Sequence, residues 1–361
     1  MRALIFTPSG DANITDRRRL RYNSSMKIGF FELEGWEEEI VRQALPGQEL
    51  FFSREKINED NLPEPKDLEG IVVFVNSKVT AKVIDSLPNL KLVATNSTGF
   101  DHIDIAACKA KGIKVVYVPG YGNNTVAEFA FGLILNLTRH IYAAIDNVKE
   151  RDSFSLDNLR GIDLMGRTLG VIGTGRIGRE SIKIGLGFGM KVVAYDVFPN
   201  EAAAKEMGFV YVPLNDLLAR SDVITLHCPL TDETKHIVNA ENIKLVKKGA
   251  YLVNTARGGL VETKAVVWGI QNGVLAGAGL DVLEEEGETK DEMKFFSEEN
   301  PHEEVLRNIL QNHVLMKMPN VLITPHMAFD SEEALKRILD TTLDNIKGFL
   351  GNQLNPKNVL D

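Results

Sequence analysis

Short apolar runs along the chain alternate with stretches whose apolar residues recur at helical spacing, and they do so in two series. In the first, strands are predicted at 27–31, 71–75, 92–95 and 114–118, with helices at 35–45, 79–87 and 103–111 between them. The second series opens near residue 168, with strands predicted at 168–172, 191–195, 223–227, 250–254, 277–281 and 321–324. Runs such as Ile71-Val72-Val73 have no polar alternation, which suits strands covered on both faces and hence parallel sheets with crossover helices. Between the series, Thr125-Val126-Ala127-Glu128 reads as a capping box that opens a long helix. Val126, Phe129, Ala130, Leu133, Ile134, Leu137 and Ile141 would share its core face. The stretch 331–351 reads as one amphipathic helix that returns to the first series.

This pattern predicts an α/β chain of two domains. Residues 26–124 with 325–361 would form the smaller one, and 125–324 the larger, a doubly wound parallel sheet of six or more strands. The polar residues after Leu4-Ile5-Phe6 read as a flexible extension over 1–25, with an extra edge strand as the competing view. Residues 150–163 are polar and suit a loop against a partner subunit, and 284–313 is an acidic, mixed insertion.

Composition narrows the function classes. The 361 residues are 44% hydrophobic and 25% charged, with a formal net charge of −9, as in an ordinary globular protein without a nucleic-acid groove. Two cysteines, Cys108 and Cys228, without metal spacing, fit a reducing cytoplasm and no structural metal. No apolar run reaches the ~20 residues of a membrane span, and no signal peptide is evident.

Gly173, Gly175 and Gly178 form G-x-G-x-x-G between the strand at 168–172 and a predicted helix. The first glycine permits a tight turn, the second lets backbone approach a pyrophosphate, and the third lets helix and strand pack closely. Free amides at the helix start would hold the phosphate charge. The next strand ends in Asp196, placed to bond a ribose 2′-hydroxyl, which points to NAD.

In such sheets ligands gather beyond the carboxyl ends of the strands. There lie His227-Cys228-Pro229, Thr255-Ala256-Arg257, Asp281 followed by Glu284-Glu285-Glu286, and Pro325-His326. An arginine, an acid and a histidine suit reduction of a keto acid. Arginine binds a carboxylate bidentately, histidine delivers a proton near neutral pH, and a neighbouring carboxylate favours and orients the charged ring. Arg257 could instead hold phosphate, and most acids in a Glu-rich run are merely solvated; the residues alone do not choose among the three glutamates. His227 and Cys228 read as lining the cofactor. Cys228 has no evident activating group, and His102, His140, His236, His302 and His313 keep surface or packing roles.

Together, the glycine loop with Asp196, Thr255-Ala256-Arg257-Gly258, Gly279-Leu280-Asp281-Val282 and Pro325-His326 resemble the D-isomer-specific 2-hydroxyacid dehydrogenases over about 26–361. Thr98-Gly99-Phe100-Asp101 resembles the substrate loop, and Tyr121-Gly122-Asn123-Asn124 the domain hinge, of the D-lactate dehydrogenase branch. The long interval from Glu286 to His326, and Phe329 beyond it, also resemble that branch. The resemblance implies two Rossmann-like domains, the smaller one flavodoxin-like. It implies Arg257, Glu286 and His326 as catalytic, Glu286 being chosen by its spacing from Asp281. It implies cofactor contacts from Gly173, Gly175, Arg176, Ile177, Gly178, Asp196, Cys228, Pro229, Thr234, Thr255, Ala256 and Asp281. Substrate contacts are implied at Thr98, Gly99, Tyr121 and Arg257. It further implies NAD as cofactor, a small 2-keto acid as substrate, a cleft between domains closed by a hinge, and a homodimer through the cofactor domain.

The expectation is thus reduction of pyruvate or a close 2-keto acid by NADH. Rivals are a sibling acting on a bulkier 2-keto acid, formate or phosphite, and an NAD(H)-sensing corepressor on the same scaffold. The Glu286–His326 pair argues against formate oxidation, which protonates no carbonyl. Asp196→Ser should narrow the preference for NADH over NADPH, since a carboxylate repels a 2′-phosphate. An unchanged ratio of kcat/KM for the two cofactors would remove Asp196 from the ribose site.

Overall fold

The computed structural model describes residues 25–286 and 303–360 of the chain. The proposed extension over residues 1–25 lies outside them except for residue 25, as does most of the acidic insertion. The chain divides into two units, one running up to Val118 and resuming at Leu339–Asp361, the other spanning Pro119–Ile338.

The first unit is built on a six-stranded sheet. Its strands are β1 (Lys27–Phe30), β2 (Glu49–Phe52), β3 (Gly70–Val73), β4 (Leu92–Thr95), β5 (Lys114–Val116) and β13 (Val359–Leu360). They lie in the order β13-β5-β4-β3-β1-β2. Every pairing is parallel except β13 with β5. The five parallel strands follow the flavodoxin-like order 2-1-3-4-5, as the resemblance implies. Helices α1 (Glu37–Ala44), α2 (Ala81–Asp85) and α3 (Ile105–Ala110) connect them. Thr80 and Asp104 cap α2 and α3 by accepting from Val83 and Ala107 amides. Two strands go beyond the predicted set. β2 is a half-buried edge strand whose apolar run is only Leu50-Phe51-Phe52, and β13 is only two residues long.

The second unit holds seven parallel strands: β6 (Thr168–Ile172), β7 (Lys191–Tyr195), β8 (Val210–Tyr211), β9 (Val223–Leu226), β10 (Ala250–Asn254), β11 (Leu275–Leu280) and β12 (Val321–Ile323). Their order is β12-β11-β10-β9-β6-β7-β8, the doubly wound arrangement with its switch point between β6 and β9. Six were predicted; β8 is too short to register as a run. Among the connecting helices, α6 (Arg176–Gly187) follows the glycine loop, and α7 (Glu201–Met207), α8 (Leu214–Arg220) and α9 (Thr263–Gln271) follow in order. Helix α10 (Glu303–Lys317) occupies the far side of the insertion, with Ile309, Asn312 and Leu315 buried.

The long helix, α4 (Asn123–Arg139), starts two residues earlier than expected. Gly122 is its N-cap and no side chain caps it, so the predicted capping box does not form. Thr125 lies within the first turn, where its hydroxyl accepts from Arg337 (3.1 Å), and Glu128 accepts from Asn124 (3.0 Å). Ala130, Leu133, Ile134 and Leu137 are buried, as their spacing predicts. Ile141 is not on that face. The chain turns through left-handed His140 (φ 52°) into a separate helix, α5 (Ile141–Arg151), none of whose residues is buried. Strand β11 reads Leu-Ala-Gly-Ala-Gly-Leu because α4 lies directly over it. A Cβ on Gly279 would sit 3.1 Å from Leu133 Cβ, and one on Gly277 would sit 2.9 Å from the Asn320 carbonyl.

The last helix, α11 (Glu332–Leu350), runs through the unit boundary. Its Leu339, Leu343 and Ile346 pack with Ile28, Phe30 and Val116 in the first unit's core. In the second unit, Ile134 is fully buried against Leu169, Val171 and Val253. Ile134→Ala should therefore cost about 2–5 kcal/mol of stability in chemical denaturation, and a cost below ~1 kcal/mol would mean that α4 is not part of this core.

Candidate active site

The glycine loop takes its shape from steric necessity. Gly173 has φ +93°, and a Cβ there would lie 2.5 Å from the Cys228 amide nitrogen. A Cβ on Gly178 would lie 2.0 Å from the Gly173 carbonyl oxygen, so the third glycine is what lets α6 close onto the loop. A Cβ on Gly175 would meet nothing within 4 Å, which leaves its side of the loop open. Gly175 is also the N-cap of α6, and no side chain satisfies the helix's first amides. Arg176 follows, and Ile177 is half-buried in the first turn.

Asp196 sits at the carboxyl end of β7 and is tied to the same loop. One carboxylate oxygen accepts from Thr174 N (2.7 Å) and Thr174 Oγ1 (2.9 Å), the other from Phe198 N (2.9 Å). After β9, the half-buried His227 directs Nε2 at Ser181 Oγ (2.9 Å) and Thr225 Oγ1 (3.0 Å). Burial pushes its pKa down to about 3, so it is neutral and cannot serve as the acid near pH 7. Burial also pushes the Cys228 thiol up to about 11, which agrees with excluding it as a nucleophile. Thr234 accepts from the Thr231 amide (2.8 Å) and donates to the Pro229 carbonyl (2.6 Å), holding the Pro229 turn.

The residues that fit a dinucleotide are therefore in place. A cradle that any Cβ would fill faces uncapped helix amides, and an acid stands at the end of the second strand. One more observation points the same way. The Thr255 hydroxyl is buried and has no hydrogen-bond partner among the described residues, as expected of a group that bonds a ligand.

Three adjacent strands, β10, β11 and β12, deliver the remaining residues. Asn254 ends β10 and clamps the turn after it, accepting from Ala256 N (3.1 Å) and donating to the Arg257 carbonyl (2.8 Å). Arg257 is half-buried and donates to the Ala256 carbonyl (2.8 Å). Its positive charge acts on Tyr121, whose phenol burial nevertheless raises to about 12. After β11, Asp281 engages the β12 end through both carboxylate oxygens: Oδ1 accepts from Thr324 Oγ1 (2.6 Å) and Met327 N (2.9 Å), Oδ2 from Ala328 N (2.8 Å). The Asp281 carbonyl accepts from His326 N (2.9 Å). His326 is left-handed (φ 55°), and its Nδ1 lies 3.2 Å from each oxygen of Glu286. A carboxylate fixing one ring nitrogen leaves the other, Nε2, for proton exchange.

The second unit thus contains the Arg257, Glu286 and His326 loops, the glycine loop and Tyr121. Thr98 and Gly99 belong to the first unit, where Thr98 Oγ1 donates to the Val118 carbonyl (2.7 Å) and Ser97 Oγ to the Gly99 carbonyl (2.6 Å). For Asn254 the sequence signal is its place at a strand end; Glu284 belongs to the acidic run among whose three members the residues alone do not choose, and His236 is read there as a surface or packing residue. Among the described residues no cluster could hold a metal ion, and no helix is long and apolar enough to cross a membrane.

Comparison with known proteins agrees with this arrangement. Residues 131–328 match the family model of the D-isomer specific 2-hydroxyacid dehydrogenase NAD-binding domain. A D-lactate dehydrogenase of Escherichia coli is 35% identical over 93% of this chain and all of its own length. An aromatic 2-oxoacid reductase of Clostridium sporogenes is 37% identical over 79% of this chain and 83% of its own. The crystal structure of an Aquifex aeolicus D-lactate dehydrogenase, complexed with NAD and lactic acid, superposes with a TM-score of 0.81 at 40% identity. The superposition covers 92% of this chain and 98% of that one. The chain belongs to the D-isomer-specific 2-hydroxyacid dehydrogenases, a family of NAD-dependent oxidoreductases, and its cofactor is NAD.

Proposed function

We propose that this chain reduces pyruvate, or a close 2-keto acid, to the D-2-hydroxy acid, as a D-lactate dehydrogenase does. The observation that carries the reading is the pairing of His326 Nδ1 with both Glu286 oxygens at 3.2 Å, between the loops after β12 and β11, with Arg257 in the loop after the next strand, β10. Bound NADH supplies the hydride to the carbonyl carbon. His326 holds a proton on Nε2 and gives it to the carbonyl oxygen, while Glu286 keeps the ring oriented through Nδ1. Arg257 takes the substrate carboxylate in a two-pronged bond, which a lysine makes less well. Tyr121, whose phenol burial raises to about 12, offers an O–H donor beside Arg257. Gly173, Gly175, Gly178, Arg176 and Ile177 bind the pyrophosphate, Asp196 the ribose, and Cys228, Pro229, Thr234, Thr255, Ala256 and Asp281 the rest of the cofactor.

A bulkier 2-keto acid is the second reading, favoured by the identity to the aromatic 2-oxoacid reductase. Steady-state rates on a panel from pyruvate to aromatic 2-keto acids test both readings. The highest kcat/KM on pyruvate supports the first, the highest on an aromatic acid supports the second, and no rate on any keto acid removes both.

The same reading includes a homodimer through the cofactor-binding unit. Its support is the apolar surface of α5 and the loop after it, where Tyr142 is 60%, Phe154 87% and Leu156 83% exposed in the single chain. Patches of this kind on one surface mark interaction sites.

Two outcomes follow. His326→Gln should lower kcat by about 100-fold or more while NADH binding, read by fluorescence, is retained; equal losses in both would argue against a proton donor. Ile145→Asp on α5 should shift the sedimentation coefficient from dimer toward monomer, and an unchanged value would place the interface elsewhere.

A further inference from the structure

Glu284, two residues before Glu286, lies outside the reaction chemistry, yet its side chain is almost fully buried. Both carboxylate oxygens and the backbone carbonyl are engaged. Oε1 lies 2.5 Å from His236 Nε2. Oε2 accepts from both Thr263 N (2.6 Å) and Thr263 Oγ1 (2.8 Å), at the first residue of α9. Its backbone carbonyl accepts from Asn312 Nδ2 (2.9 Å) on α10. One residue thereby fastens the loop after β11 to the β9–β10 connection, to α9 and to α10.

The Arg257 loop is held by the same assembly. His236 donates its backbone N–H to the Gly259 carbonyl (2.8 Å). A Cβ on Gly258 would lie 2.0 Å from the Leu283 carbonyl oxygen and 2.6 Å from the Glu284 nitrogen, so the two loops touch backbone to backbone. Between Glu284 and Glu286 the chain passes through left-handed Glu285 (φ 50°). A non-glycine residue persists in that region only when its surroundings hold it there. The direction in which Glu286 leaves the loop therefore depends on where Glu284 is fixed.

We infer that Glu284 and His236 are a positioning pair that sets Glu286 against His326 and keeps the Arg257 loop in register with them. The inference rests on the assignment of Glu286, His326 and Arg257 made above. The pair acts through the backbone of two loops. Adjacent acids in the Glu284-Glu285-Glu286 run thus have different tasks, one buried as an anchor and one turned to the histidine.

The test compares Glu284→Ala, His236→Ala and His236→Gln, the last of which keeps an N–H donor, in the full-length protein. Misplacing Glu286 by a fraction of an ångström to an ångström should lower kcat on the preferred 2-keto acid by about 10- to 100-fold in both alanine variants. NADH affinity should stay within about twofold, and His236→Gln should recover most of the rate. The double alanine variant should lose no more than Glu284→Ala alone, because that variant already removes the bond to His236. Unchanged kcat in both single variants overturns the inference. So does a parallel loss of kcat, NADH affinity and melting temperature that His236→Gln does not reverse, because that is general structural damage. The unsubstituted enzyme and His326→Gln are assayed alongside. Absence of turnover in the former, or full activity in the latter, overturns the underlying assignment and this inference with it. Normal behaviour of both confines any failure to the Glu284–His236 pair.

Discussion

A carboxylate that is 1% exposed needs donors from the protein around it, and Asp281 takes three from the turn that presents His326. Two backbone amides and one hydroxyl converge on its oxygens, while its own carbonyl takes the His326 amide. Removing such an acid would leave those donors buried and unpaired, at a cost of about 1–3 kcal/mol each. The histidine turn is left-handed at a position without glycine, so this collar of bonds is what makes the conformation tenable. The histidine's neighbour across the turn, Glu286, leaves the same loop five residues further on, which couples acid and base through a short, pinned stretch of chain.

The rest of the second unit serves the same edge. Parallel strands place their carboxyl ends on one side, and the switch between β6 and β9 opens the crevice there. The chain bends sharply at Gly173 and packs α6 onto it at Gly178, since any larger residue would collide with backbone at either position. Glycines in β11 have a different reason. They let α4 approach the sheet closely, and this packing sets the height of the strand that ends in Asp281. The glycine loop and the loops that carry Arg257, Glu286 and His326 are thus fixed by separate steric conditions that meet at one sheet edge.

Where the structure departs from the expected elements, competing local chemistry is the cause. Thr125 and Glu128 have the spacing of a capping box, but Gly122 already ends the preceding turn and Arg337 reaches both the Tyr121 carbonyl (2.6 Å) and the Thr125 hydroxyl. A partner distant in sequence thus overrides a local motif. Ile141 continues the apolar spacing of α4, yet His140 adopts a left-handed conformation and the apolar positions of α5 then face solvent. Edge strands β2 and β13 are short and only partly covered, and their apolar runs, Leu50-Phe51-Phe52 and Val359-Leu360, are correspondingly brief.

The sequence by itself determined the alternation of strands and helices, the two parallel sheets and the dinucleotide loop. These follow from short-range rules: side-chain period, the steric freedom of glycine, and apolar runs that demand cover on both faces. The motifs at the strand ends identified the family and brought Arg257, Glu286 and His326 forward. Only the tertiary structure shows what each neighbouring acid bonds to. Spacing from Asp281 singles out Glu286 through the family resemblance, but it is the fold that buries Glu284 against His236 and Thr263 and turns Glu286 toward His326. A carboxylate's task is set by the donors around it, and those donors come from positions up to 48 residues away along the chain.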